Sequence, residues 1–451
     1  RGSSIQGETL EIFKVSPWMP ITMHTLKKLI ATIVPAPVLR GILSIYHLTL
    51  SFLGALVYGF PARKLLVIGV TGTKGKSSTT EMLGAIFEEA GHQTALLNSI
   101  RIKISGQSEP NLMRMTMPGR FFIQKFLDNS VRAGCTVAII EMTSEGARQH
   151  RHRWIDMDAL IFTNLAPEHI ESHGSYEAYA NAKFEIGREL ARSKKRPRIM
   201  AANADSAESS RYLILPVEYK LPFSLSACAP WSADETGGHF NFDRTDISIN
   251  LPGEFSLKNA LASATVARAL GVQTQVIASA LGKIRRIPGR AEKIEEGQNF
   301  TVVVDYAHTP DSLEALYNAY GKLRKICVFG ATGGGRDIWK RPVMGAIADK
   351  YCEQVILTNE DPYDENPRVI VNAVASGMSA RGGSASGGKR VPEIIMDRRE
   401  AMRSAFARAR AGDAVLITGK GTDPCICVGN GERIPWSDAQ VAREEIMSLL
   451  S

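Results

Sequence analysis

Past residue 62 the chain alternates between two hydrophobic periods. Apolar, β-branched runs such as KLLVIGV (64–70), VAIIEM (137–142) and DALIFTNL (158–165) have no polar alternation. Strands read this way when a parallel sheet is covered on both faces. Between them lie stretches at helical spacing, among them SSTTEMLGAIFEEAG and PGRFFIQKFLDNSVRAG, each closing on a glycine able to cap a helix. Residues 224–251 change to short polar strands and turns, which predicts an accessory hairpin, and GEFSLKNALASATVARALGV returns to helix. Pro288 and Gly289 interrupt the pattern within IRRIPGRAEKI. A second strand–helix series follows, with strand runs in TVVVDYAHTPDSLEAL, KICVFGAT, EQVILTNEDP and DAVLITGKGTD. The stretch SGMSARGGSASGGKR reads as a loop.

The first 62 residues follow neither period. Residues 1–22 show no clear pattern and read as a leader or arm, with Met23 the expected native start. Residues 41–60 carry no charge at all, a length sufficient for a bilayer. Ser44, His47 and Ser51 nonetheless fall at helical spacing and form a polar stripe, which disfavours a span. Two placements stay open: a helix packed on the domain behind it, or a helix at a membrane interface.

The 451 residues suffice for two or three domains, and 44% hydrophobic with 22% charged residues is ordinary globular composition. A net charge of +8 suits anionic ligands or an anionic membrane surface. No basic cluster is interleaved with aromatics, so nucleic acid is not an expected partner. Six scattered cysteines, with only Cys425 and Cys427 close, form no zinc-type pairs and predict reduced thiols in a cytoplasm.

Chemistry concentrates at strand ends. In VIGVTGTKGKSSTTEML (67–83) a buried strand runs through a glycine-rich turn into a helix. Gly72 and Gly75 let the backbone N–H groups of Thr73 and Lys74 turn toward phosphate, Lys76 reaches its terminal oxygens, and Ser77 or Ser78 offers a hydroxyl to magnesium. The usual first glycine is missing, since Val70 holds that position. Glu141 ends a hydrophobic strand and reads either as a magnesium carboxylate or as a solvated strand-end acid. FTNLAPEHIESHGSYEAYANAKFEIG carries His169, His173 and Lys183. The predicted fold is α/β: a central parallel-sheet domain of phosphate-loop type over residues 63–292 and a C-terminal Rossmann-like domain over 293–451, preceded by a short apolar helical segment within 1–62. Ligands in such sheets bind beyond the carboxyl ends of the strands.

The set GTKGKSS, EMTSEG, TNLAPEHIESHG, YANAK, LKNALA, IPGRAE, VVVDYAHTPDSL, GGGRDIWKRPVMG and GKGTD resembles the Mur ligases, in order from about Leu65 to the C-terminus. Within them it is most similar to the branch that adds the third residue of the peptidoglycan stem peptide. The short loop is that family's form of the motif. The resemblance implies an ATP- and magnesium-dependent amide ligase working through an acyl phosphate, with a UDP-linked or lipid-linked muramyl peptide and an amino acid as partners. It implies that Gly72, Thr73, Lys74, Gly75, Lys76, Ser77, Ser78, Asn259, Arg290, Asp305 and His308 serve ATP or the interdomain hinge. Ser77, Glu141, His169 and a carbamylated Lys183 would serve magnesium, with Lys76, Lys183 and His169 catalytic. Thr116, Ser144, Gln149 and Arg151 would lie near the muramyl substrate. Arg336, Glu360, Asp361, Tyr363, Gly419 and Asp423 would face the amino-acid acceptor.

Departures from the family pattern concern the substrates. Enzymes adding diaminopimelate carry Asp-Asn-Pro-Arg where this chain has Glu360-Asp-Pro-Tyr363. Tyr363 cannot pair with an extra carboxylate, so a cationic acceptor such as lysine or ornithine is expected. Thr422 and Asp423 replace a histidine and a glutamate, Glu145 a histidine, and Glu168 and Glu171 aspartates. About sixty residues precede the central domain where the family carries a UDP-binding domain. The alternatives are therefore a ligase acting on a lipid-linked muramyl peptide, or a non-catalytic membrane-associated relative. The expected location is the cytoplasm, with peripheral membrane contact through residues 41–60 as a variant of that reading.

Overall fold

The computed structural model describes residues 36–168, 170–378 and 392–451. The leader with Met23, His169 and the stretch 379–391 lie outside the described residues. An eight-stranded sheet forms the central layer, ordered β4-β3-β2-β5-β1-β6-β7-β8. Its strands are β1 (Leu66–Thr71), β2 (Thr94–Leu97), β3 (Arg101–Ile104), β4 (Gln107–Pro110), β5 (Val137–Glu141), β6 (Ala159–Phe162), β7 (Ile199–Asn203) and β8 (Tyr219–Phe223). All pair in parallel except β3 and β4, which append an antiparallel edge. The apolar runs are explained by double burial. Ile68 and Val70 face one core with Met82, Leu83 and Ile86 of the helix Lys76–Glu89 and Leu257 and Leu261 of the helix Glu254–Ala269. Val67, the residue before Ile68, faces the other with Ile123 and Leu127 of the helix Arg120–Arg132 and Ile186 of the helix Tyr176–Arg192. Successive residues of a strand point to opposite faces, so a covered sheet needs apolar residues at every position.

Residues 224–251 hold three strands, not the two of a hairpin: β9 (Trp231–Ala233), β10 (Gly238–Phe242) and β11 (Thr245–Ile249), in the order β11-β10-β9. Phe240 and Ile247 bury into the first core, which fixes this small sheet against the domain.

The second unit is a six-stranded sheet ordered β12-β13-β17-β14-β15-β16. It contains β12 (Glu292–Ile294), β13 (Thr301–Asp305), β14 (Lys325–Phe329), β15 (Gln354–Leu357), β16 (Glu393–Ile394) and β17 (Ala414–Thr418). Only β12 pairs antiparallel. A two-stranded ribbon of β18 (Cys425–Cys427) and β19 (Arg433–Pro435) follows. The expectation of reduced thiols fails for one pair. Cys327 on β14 and Cys352, just past the helix Lys340–Tyr351, form a disulfide because that helix returns the chain beside the strand it left. Cys425 and Cys427 are free thiols.

The apolar N-terminal segment is the helix Ala36–Val57, packed beside the helix Arg120–Arg132. No described helix is long and apolar enough to cross a membrane.

Candidate active site

In the central sheet β1 lies between β5 and β6, with Val70 opposite Glu141 and Thr71 opposite Phe162. Three carboxyl ends therefore open side by side, and their loops supply the site. Gly72 and Gly75 have φ of 143° and 82°. A Cβ on Gly72 would stand 2.0 Å from Thr163 Oγ1, and one on Gly75 would stand 2.2 Å from Asn259 Oδ1. Only glycine permits both the backbone turn and the close approach. The Lys74 N–H donates to Asn164 Oδ1 (2.9 Å), and Thr163 Oγ1 donates to Lys74 O (2.7 Å), which ties the loop to the end of β6. The helix Lys76–Glu89 begins at this loop, so its unpaired N–H groups and dipole face the same space.

Lys76 donates to Thr73 O at 2.8 Å and lies 3.9 Å from Glu141 Oε1. Burial pulls its pKa down, and the Glu141 and Glu168 carboxylates oppose that pull. Glu141 is buried, and its Oε2 accepts from Ser77 Oγ (2.8 Å) and Ser99 N (3.0 Å). It is not the solvated strand-end acid. A hydroxyl and a carboxylate are hard oxygen donors, the pair that magnesium takes from a protein when phosphate and water complete its shell. Among the described residues no group of three or more His, Cys, Asp or Glu could hold a metal alone. Lys183 lies beneath the loop, fully buried, donating to Gly72 O at 2.6 Å over the Tyr179 ring. Burial and then the Lys76 charge drive its pKa well below the ordinary lysine value. A neutral buried amine is nucleophilic, the state that adds carbon dioxide.

The second domain closes the far side. Arg290 Nη2 donates to Ser77 Oγ (3.2 Å) and Ser99 Oγ (3.1 Å). His308 Nε2 lies 2.9 Å from Glu168 Oε1, and Lys74 Nζ donates to the same oxygen at 3.1 Å. His308 Nδ1 faces Tyr306 O at 2.7 Å, which can only accept, so that nitrogen carries a proton. Burial pushes the His308 pKa down to about 4. Asp305 lines the cleft, and its two oxygens accept from Ala291 N (2.5 Å) and Ala307 N (2.6 Å), which staples the domain entry. The cleft measures about 460 Å³. It is lined by the loop from Thr73 to Ser78 and by Glu141, Asn259, Arg290, Asp305 and His308.

Of the expected muramyl residues only Thr116 lines this cleft. Ser144 is buried in the first turn of Ser144–Arg148. Gln149 accepts from Arg151 Nη2 at 2.7 Å, and Arg151 also donates to Met117 O, so both tie loops together beside the cleft. The acceptor group forms a separate cluster beyond the carboxyl ends of β14, β15 and β17. Arg336 stacks on the Tyr363 ring (5.0 Å), and Tyr363 holds φ of 53°. Glu360 Oε1 accepts from Thr332 Oγ1 (2.7 Å). Its Oε2 has no partner among the described residues and would be 2.3 Å from a Cβ on Gly419. Burial raises the Glu360 pKa. Asp361 is already engaged: Lys420 Nζ (2.8 Å), Cys427 N (2.7 Å) and Arg114 Nη2 (2.9 Å) all donate to it. Asp423 Oδ2 accepts from Arg114 (2.8 Å) and Lys420 (2.9 Å), while its Oδ1 is unpartnered among the described residues.

Arg114 therefore reaches from the central domain into the acceptor cluster. Motif reading missed it, because nothing around it in NLMRMTMPG marks a cation with distant carboxylates. Ser99, Asn164 and Lys420 were missed too. Ser99 and Asn164 do follow strand runs, and that position was the available signal.

A phosphate-holding loop, a buried carboxylate–hydroxyl pair and a second α/β domain closing on them define a two-domain ATP-dependent ligase. Residues 70–267 match the Mur ligase middle domain, and residues 289–421 match the Mur ligase, glutamate ligase domain. The chain is 36% identical over 441 residues to a UDP-N-acetylmuramyl-tripeptide synthetase of Roseiflexus sp. (strain RS-1), covering 92% of this chain and 85% of that protein. It is 34% identical over 402 residues to a UDP-N-acetylmuramoyl-L-alanyl-D-glutamate–2,6-diaminopimelate ligase of Geobacillus kaustophilus, covering 86% and 80%. A solved ligase of that latter name superposes with TM-score 0.58 at 28% identity, over 86% of this chain and 79% of that one. A folylpolyglutamate synthase from Mycobacterium tuberculosis, solved with ADP and AMPPCP, shares the fold (TM-score 0.65, 16% identity, 83% and 93% covered). The chain belongs to the Mur ligase family and is an ATP-dependent ligase.

Proposed function

We propose that this ligase joins an amino acid with a cationic side chain, lysine or ornithine, to the carboxylate of a muramyl dipeptide in the cytoplasm, during peptidoglycan precursor synthesis. The observation that carries the reading is the convergence of Lys76 and the Ser77–Glu141 pair on one cleft closed by Arg290 and His308, with Lys183 buried beneath its phosphate loop.

A carboxylate is a poor electrophile at neutral pH. Transfer of the terminal phosphoryl group of ATP to a carboxylate oxygen gives an acyl phosphate and ADP. Attack by the acceptor amine forms the C–N bond, and the tetrahedral intermediate expels phosphate. The loop N–H groups and Lys76 hold the transferred phosphoryl oxygens, and Arg290 adds a cation from the opposite wall. Magnesium bound through Ser77 and Glu141 would screen the phosphate charges. Lys183 adds carbon dioxide to become a carbamate, releasing one proton, and turns a buried amine into an anion beside the loop. His169, carried from the resemblance, belongs to the same proposed magnesium chemistry.

The acceptor preference rests on Tyr363, whose ring is covered by Arg336, and on the acidic group Glu360, Asp361 and Asp423. Phosphate release from ATP with UDP-muramyl dipeptide, tested against lysine, ornithine, diaminopimelate and ammonia, is the direct test. Turnover with diaminopimelate alone would overturn the acceptor assignment. A second reading, a lipid-linked donor, is favoured by two hydrogen bonds: Ser44 and Ser51 of the N-terminal helix each bond His150, between Gln149 and Arg151. Silence with the soluble donor and turnover with the lipid-linked one would select it.

A further inference from the structure

The N-terminal helix is mounted with its polarity reversed. A surface helix of a soluble domain turns its apolar stripe to the core and its polar stripe to water. Here the inward stripe is the polar one. Ser44 Oγ bonds His150 Nε2 (2.8 Å), Ser51 Oγ donates to His150 O (2.7 Å), and the His47 ring meets the Arg120 guanidinium. The stripe runs from exposed Ser44 through half-buried His47 to buried Ser51, and buried Gly54 and Ala55 continue it. The outward face is largely apolar: Ile42, Ile45, Tyr46, Leu53, Leu56 and Val57 are between 41% and 68% exposed, with exposed Thr49 between Tyr46 and Leu53. Phe121 of the neighbouring helix, 40% exposed and packed against Gly54, extends the same surface. Water is a poor neighbour for so continuous a patch, which marks a docking surface.

We propose that this face docks on an anionic bilayer surface, with the helix lying in the interface and not crossing it. Charge selects the occupant. Residues 41–60 carry none, and the sequence has no acidic residue between Glu11 and Glu81. Arg63 and Lys64 stand exposed immediately beyond the helix, Arg63 in an ion pair with Asp156 (3.0 Å). An uncharged apolar face with Lys64 at its edge fits headgroups of negative charge, and Tyr46 supplies an aromatic of the kind that settles at headgroup depth. The helix is hydrogen-bonded to residue 150 on its inward side, so docking holds the loop 149–151 one helix diameter, ~10 Å, from the lipid surface.

The test is flotation of the full chain with vesicles of phosphatidylcholine alone or mixed with phosphatidylglycerol, at low and physiological salt. The wild type is expected to float with the anionic vesicles and less so as salt rises. The double variant Ile45→Glu/Leu56→Glu is expected to reduce the floated fraction at least tenfold. Both side chains are exposed, and nucleotide binding by the variant reports that the domain is folded. A second variant, Ile45→Trp, is expected to be quenched by brominated lipid. No flotation of the wild type, equal flotation of the double variant, or unquenched Trp would overturn the proposal. So would light scattering that shows a dimer dissolved by the double variant, since a second copy would then cover the face. These readouts need no turnover, so their failure leaves the ligase assignment standing.

Discussion

Arg114→Met removes a guanidinium that crosses between the domains to bridge Asp361 and Asp423. Burial works against the Arg114 charge, but the Asp423 and Asp361 carboxylates outweigh it and hold its pKa above the ordinary value. On the proposed acceptor assignment, a cationic side chain would need the position it fills, because Lys420 already takes the other side of the same two carboxylates. Acceptor binding would then displace Arg114. Two charge-assisted hydrogen bonds are worth about 1.5–3 kcal/mol each in favourable settings, and partial exposure of the guanidinium brings the pair to about 2 kcal/mol. Relief from that competition lowers the KM for lysine about 30-fold, at about 1.4 kcal/mol per factor of ten. The assay is continuous phosphate release against lysine concentration at saturating ATP and donor. Arg114→Lys, which keeps the charge but loses the fork, is expected to fall between the two. A KM that stays the same or rises in Arg114→Met would refute the competition and make Arg114 a structural strut.

Three further outcomes are expected. Lys183→Ala should lower kcat at least about 100-fold, the scale of losing a group that organises transition-state charge, with partial rescue by acetate or formate in the same assay. Arg398→Met leaves Asp438 buried without its bidentate partner (2.7 and 2.8 Å in the native protein) and should cost about 3–5 kcal/mol in urea unfolding. His152 is buried, neither ring nitrogen has a partner among the described residues, and burial holds its pKa down at about 3. The unfolded chain binds a proton below about pH 6.5 that the folded chain refuses until about pH 3, so stability falls as pH drops through that window. Between pH 7 and 5 the loss should be about 2 kcal/mol, and His152→Leu should flatten that part of the curve.

What could be read from the chain was local. The strands β1, β5 and β6 announce themselves because burial on both faces demands unbroken apolar runs. The phosphate loop is legible because all its parts lie within one turn. The three-stranded sheet was undercounted because β9 is only Trp231–Ala233, too short for any period to show. Cys327 and Cys352 have no spacing that marks a pair; a returning helix brings them together. Arg114 meets carboxylates 247 and 309 positions away, and no local pattern carries that information. The stripe Ser44, His47 and Ser51 was visible at once, but which way it faced was not, since its partners His150 and Arg120 are set by the fold.

The staple at Asp305 has a mechanical consequence. It pins Ala291, and β12 is zipped to β13, so the chain is part of the second domain from residue 291 onward. Ile287 is still sunk in the core of the first domain. Gly289 already lies against Gly421 and Thr422 of the second, and its carbonyl accepts from Tyr306 N at 3.0 Å. The pivot is thus confined to Pro288 and its bond to Gly289. An axis through that point has Arg290 almost on it and Thr422, the neighbour of Asp423, beside it. Swinging the second domain would therefore strain first the contacts that cross between the domains, Arg114 with Asp361 and Asp423 and His308 with Glu168, while Arg290 stays by Ser77 and Ser99.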